Sequence, residues 1–128
     1  MPIRYEIDKQ NRIVQTTFSG SVTYRIVADH ALRLGEDHAF DPAFSEIIIF
    51  EDVSQIRLNY EDFEALLKVD PFSRSSRRAF VIPERGAVYG VTRIYQAARR
   101  DSPSVRIFET LAQALLWLTS EVSRPASA

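Results

Sequence analysis

The chain has 128 residues, 45% apolar and 26% charged, with 16 Lys and Arg against 17 Asp and Glu for a formal net charge of -1; this is the size of one globular domain able to bury a core without staples. It contains no cysteine, which excludes a disulfide framework, a thiolate metal site, an iron–sulfur cluster and a cysteine nucleophile. No apolar run reaches the roughly 18 residues of a membrane helix, and the Met1-Pro2-Ile3-Arg4-Tyr5-Glu6 start lacks a signal peptide's apolar stretch, so the chain reads as cytoplasmic, without membrane insertion.

Ile3, Tyr5 and Ile7 alternate with polar neighbours, and Ile13, Val14, Thr16 and Phe18 resume after the turn-compatible Asp8-Lys9-Gln10-Asn11, which predicts a β-hairpin. Gly20 is expected to break the second strand. From Thr23 the spacing of Ile26, Val27, His30, Ala31 and Leu34 predicts an amphipathic helix ending near Gly35 to His38. After the Asp41-Pro42 turn, Ile47-Ile48-Ile49-Phe50 reads as a strand buried on both faces. Asn59 is the expected N-cap of a second helix, with Glu61, Asp62 and Glu64 against its positive end, Phe63, Leu66 and Leu67 on its apolar face, and Pro71 as its stop.

Ala79-Phe80-Val81-Ile82, closed by Pro83, is the next buried strand. A third helix after Gly86 places Ala87, Val91, Ile94, Tyr95 and Ala98 on one stripe, leaving Tyr89, Arg93, Gln96, Arg99 and Arg100 towards water. Val105, Ile107 and Phe108 make the fifth strand. Thr110 to Gln113 then forms a capping box opening a last helix, with Leu111, Ala114, Leu115 and Leu118 expected to face inward. The order β-β-α-β-α-β-α-β-α predicts an α/β domain over residues 1–122, a five-stranded mixed sheet with helix layers, and a disordered tail over 123–128. Ligands of such sheets collect at the carboxyl ends of the strands. Here that edge is expected to display Ser19 and Gly20, Glu51 and Asp52, Glu84 and Arg85, then Glu109 and Thr110.

The near-neutral total hides a partition. Residues 36–64 hold Glu36, Asp37, Asp41, Glu46, Glu51, Asp52, Glu61, Asp62 and Glu64 against Arg57 alone, whereas residues 71–100 hold Arg74, Arg77, Arg78, Arg85, Arg93, Arg99 and Arg100 against Glu84 alone. A whole-chain pI near 6.1 argues against nucleic acid, which needs a broad basic surface. Opposed acidic and basic zones suit a protein partner or a homodimer.

The element order, Gly20-Ser21-Val22-Thr23, Asp52-Val53-Ser54, Arg78-Ala79-Phe80-Val81-Ile82-Pro83, and Val105-Arg106-Ile107-Phe108 followed by Ala114-Leu115-Leu116-Trp117-Leu118 resemble the bacterial SpoIIAA-like, or STAS-like (sulphate transporter and anti-sigma factor antagonist), proteins over roughly residues 3–118. The resemblance implies a non-enzymatic module that binds a regulatory protein partner and needs no cofactor. In the antagonists of that family a serine at the start of the helix after the third strand is phosphorylated. Here Asp52-Val53-Ser54 resembles the Asp-x-Ser preceding that site, but Tyr60-Glu61-Asp62-Phe63 stands where Asp-Ser-Ser-Gly is expected, so that switch is in doubt.

No residue set carries a catalytic motif. His30 and His38, eight residues apart, do not make an i, i+4 metal pair. Gly-Lys-Ser/Thr and Gly-x-Gly-x-x-Gly are absent, leaving only the helix start after Arg85-Gly86 as an anion site. No catalytic or metal residue is therefore assigned. The candidate ligand- or partner-binding residues are Asp52, Ser54, Asn59, Glu84, Arg85, Tyr89 and Arg93. The alternative to a binding module is a carrier of a small anionic or apolar, lipid-like ligand, or an enzyme, working at the same strand-end edge.

Overall fold

Alternation along the apolar runs decides the layers. In the computed structural model, which describes residues 2–120, Ile47 and Ala79 face one side of the sheet while Ile48 and Phe80 face the other, and all four are buried. The elements are β1 (Ile3–Asp8), β2 (Ile13–Thr23), α1 (Tyr24–Gly35), β3 (Ser45–Arg57), α2 (Tyr60–Val69), β4 (Arg78–Val81), α3 (Ala87–Ala98), β5 (Val105–Phe108) and α4 (Leu111–Thr119). They build one sheet in the order β1-β2-β3-β4-β5, with β1 antiparallel to β2 and every later pairing parallel. The α/β class, the mixed sheet and the element order are those expected. The expected tail over 123–128 lies outside the described residues.

Successive crossovers of one hand between neighbouring parallel strands bring successive helices to the same face. Accordingly Val27 of α1, Phe63 and Leu66 of α2 and Tyr95 of α3 pack with Val22, Ile48 and Phe80. Among the described residues only α4, which follows the last strand, covers the opposite face, through Ala114, Trp117 and Leu118 against Ile13, Ile47, Ala79 and Val81. Here the inward set differs from expectation: Leu115 is 38% exposed, and Trp117, 8% exposed, takes its place. The helix turns its widest side chain inward, and Ala114, Trp117 and Leu118 then form the i, i+3, i+4 stripe. A third cluster of Val14, Leu34, Phe44 and Phe72 closes the end where the parallel strands begin.

Both N-cap expectations hold. The Asn59 side chain accepts the Asp62 N–H (2.8 Å) while the Asp62 carboxylate accepts the Asn59 N–H (3.0 Å), and Thr110 and Gln113 make the same reciprocal pair at α4. Asp62 is thereby committed to capping. Gly20, by contrast, does not end β2. It sits at φ +64° inside the strand, where the register with β3 shifts. Asp52 stands at φ 51° on the partner strand, so the two left-handed residues form a bulge that bends the long β2–β3 ribbon. Beyond it Val22 is fully buried, and Val53 and Ile56 pack on the helix-side core.

Candidate functional site

The ribbon changes what the carboxyl edge can be. Because β3 runs on to Arg57, Asp52 and Ser54 are not in a loop past a strand but exposed within one. Asn59 is a helix cap, and Glu84 is exposed in the β4–α3 connection. Among the described residues no pocket or hydrogen bond brings these four together, and Val22, Val53 and Ile56 at the ribbon end pack with the helix-side core. The remaining three do associate. Arg85 lies over the Tyr89 ring at 5.1 Å, and Tyr89 and Arg93, one turn apart on α3, line the wall of a groove.

That groove follows β5. Among the described residues its charged lining is Arg74, Arg77, Arg93 and Arg106, with Asp101 as the single acid. Arg77 and Arg106 each place a guanidinium 5.6 Å from the centre of the Trp117 ring, and Arg77 also donates to the Trp117 carbonyl (3.3 Å). The contact over Trp117 holds the exposed Arg106 guanidinium in place while leaving its charge. Arg93 donates to Gln96 Oε1 (2.6 Å), again a neutral partner.

The floor of the groove is an edge strand. Arg78 N–H donates to the Ser104 carbonyl and Ile82 N–H to the Phe108 carbonyl, each at 2.8 Å, with Arg78 opposite Val105 and Phe80 opposite Ile107 in the register. In a parallel ladder this phase turns the backbone groups of Arg106 and Phe108 towards β4. The N–H of Ile107 and the carbonyls of Val105 and Ile107 point outward. An edge strand so disposed between two helical walls, α3 on one side and α4 on the other, is a template for another strand.

A second polar cluster lies inside. Glu46 and Arg78 are direct cross-strand partners at the first positions of two neighbouring buried runs, with side chains 7% and 10% exposed. Arg78 donates to the Tyr95 hydroxyl (2.9 Å) and to Asp70, and its guanidinium lies 4.5 Å from the centre of the Phe72 ring. Arg99 donates to the same Tyr95 hydroxyl (3.2 Å), to the Arg74 carbonyl and to Ser104, with Asp70 4.0 Å away. It is therefore buried rather than turned to water as the helical stripe predicts: Tyr95 at i−4 and Asp70 at the α2 C-terminus give its charge fixed partners. Two acids face two arginines, so the cluster is balanced, as burial of charge requires.

Thr16 donates to Glu46 Oε2 (2.8 Å), and the His30 ring, edge-on to Tyr5 at 5.5 Å, brings Nε2 to 3.9 Å from the same oxygen. Burial alone pushes the Glu46 carboxyl up; His30, Arg78 and Thr16 more than offset this and hold it below the usual range. Burial likewise works against the Arg78 cation, and Tyr95, Glu46 and Asp70 reverse it, so its pKa is raised. Nearer the surface, burial and the hydrogen bond to Asp37 (2.7 Å) push the Tyr5 phenol up to about 12.

Sequence reasoning missed Arg74, Arg77, Arg106 and Trp117 as one surface, and His30, Glu46, Asp70 and Arg78 as one cluster. For the second a signal existed: Glu46 and Arg78 each immediately precede a buried apolar run, so parallel pairing of those runs places them side by side. Among the described residues no three His, Cys, Asp or Glu side chains gather to hold a metal ion, and no helix is long and apolar enough to cross a membrane. No family model, curated protein or solved structure matches the chain.

Proposed function

We propose that this protein is a non-enzymatic binding and regulatory module that takes up an acidic, extended segment of a protein partner along the β5 edge. The observation that carries the reading is the coincidence of two features in one groove: outward backbone groups of an edge strand, and two exposed arginines, Arg93 beside the neutral Gln96 and Arg106 over the Trp117 ring. The first supplies main-chain hydrogen bonds to an added strand, and the second selects a segment carrying carboxylates on alternate residues. Much of the sequence-level charge partition is consumed internally, Glu46 and Asp70 against Arg78 and Arg99. What remains at β5 is the unconsumed basic part. A protein partner is what the SpoIIAA-like resemblance implies, although the contact surface argued here is not the phosphorylated helix start.

A fluorescent peptide alternating Val and Glu tests this by anisotropy. The expected result is saturable binding that weakens as salt rises from about 0.05 M to about 0.5 M, falls about tenfold or more in an R93E/R106E double variant, and is absent for a Val–Lys peptide. Equal or tighter binding of a single-stranded oligonucleotide overturns the choice of a protein segment. A concentration-dependent dimer that R93E/R106E dissociates overturns the separate partner in favour of a second copy of the chain.

A further inference from the structure

We propose that the cavity between the sheet and helices α1 to α3 is a binding site for a small, largely apolar molecule bearing one hydroxyl group, of up to about the size of phenol. The cavity has a volume of about 100 Å³, of the same order as the roughly 150 Å³ that accommodates benzene in an apolar protein interior. Aromatic rings of Phe18, Phe50 and Phe80 furnish much of its wall, and its polar lining includes His30, Glu46 and Arg78 beside Asp70, Thr92 and Tyr95.

The polar end at His30 and Arg78 is incompletely paired within the protein. His30 Nε2 and Arg78 Nε are buried and have no hydrogen-bond partner among the described residues, on side chains only 9% and 10% exposed. Each faces a different oxygen of Glu46, at 3.9 Å and 3.8 Å, beyond hydrogen-bonding reach. Glu46 Oε2, the oxygen facing His30, already accepts the Thr16 hydroxyl, so that bond holds the carboxylate where it is. A hydroxyl between Arg78 and Glu46 would accept the Arg78 Nε–H and donate to the carboxylate, using both halves of its capacity. The other polar side chains of the lining, Asp70, Thr92 and Tyr95, already have partners within the protein, and the remaining wall is apolar, which favours one hydroxyl on a hydrocarbon body over a chain of waters or a polyol.

The test is an NMR titration of the full chain with phenol and, separately, with benzene. The expected result is saturable shifts confined to residues around the cavity such as Ile48, Phe80 and Val91, with benzene at least about tenfold weaker, because a site with buried groups awaiting a hydroxyl discriminates against its absence. A Val91→Phe variant, which fills the cavity from α3 without touching the polar end, should abolish the shifts. No saturable response up to the solubility of phenol, equal affinity for benzene, or binding that survives in the Val91→Phe variant would each overturn the proposal. The β5 groove takes no part in this test, so its outcome is independent of the partner reading.

Discussion

Arg78 and Arg106 stand on neighbouring strands, separated by one step of register, and they lead opposite lives. Arg78 points into the helix-side core, where Tyr95, Asp70 and Phe72 surround it and Glu46 faces it. Arg106 points to the other face, exposed, with its guanidinium over Trp117. Arg78 belongs to the arginine-rich residues 71–100 and Arg106 lies just beyond them, and the sequence around each gives no hint of the difference. What separates them is the two-residue period of the strand combined with which face each strand position presents. A desolvated guanidinium must be surrounded by fixed oxygens, and it then knits together the elements supplying them, here β3, α2, β4 and α3. An exposed one over an aromatic ring keeps its hydrogen-bonding capacity for something outside the chain.

Breaking the buried side of this comparison should have the largest effect. Arg78→Ala leaves Glu46 and Asp70 short of a cation in the interior and is expected to cost about 3–5 kcal/mol, read by urea denaturation; a loss below about 1 kcal/mol would mean that the cluster is not the ionic knot described here. A smaller effect comes from pH. The Glu46 carboxyl titrates lower in the folded than in the unfolded chain, so below its ordinary value of 4.5 the unfolded state binds the proton first. Its contribution is present above that value and is lost as pH falls through the depressed folded one. Asp8 and Asp37, also held low by local hydrogen bonds, act in the same direction. The readout is therefore the difference in slope: Glu46→Gln should flatten the acid limb of stability against pH, and an unchanged limb would remove Glu46 from the account.

Asn59→Ala gives a local yardstick between the two regions. It removes one cap at an exposed helix start and is expected to cost about 1 kcal/mol in thermal or urea unfolding. Least of all for stability should be the R93E/R106E double variant, within about 0.5 kcal/mol of the parent, although it is expected to weaken peptide binding about tenfold or more. A large destabilisation there would place the groove arginines with Arg78, as structural groups.

The elements were legible because their signals are local. Alternation in Ile3 to Ile7, the Thr110–Gln113 capping box and the apolar run at Ile47 each fix a conformation from a few adjacent residues. The bulge was not legible, because Gly20 reads equally as a strand end and as a left-handed residue within a ribbon; only the pairing with β3, and Asp52 at φ 51° on the partner strand, decides between them. The candidate site was read in part. Tyr89 and Arg93, both expected towards water on α3, line the groove, although Tyr89 is half-buried against the helix-side core. Arg74, Arg77, Arg106 and Trp117 come from three other segments, and their meeting depends on α4 crossing to the face that the other helices leave open. The cluster of Glu46 and Arg78 depends likewise on parallel register, a property of two strands together that neither carries alone.

The reading of β5 as a docking edge is tested most directly by amide hydrogen exchange along that strand, with and without the Val–Glu peptide. Arg106 and Phe108, whose N–H groups point to β4, should be protected in both conditions, whereas Ile107, whose N–H points outward, should exchange fast alone and become protected when the peptide is bound. Peptide binding that leaves Ile107 exchanging as fast as before, or protection appearing only at β1, would contradict it.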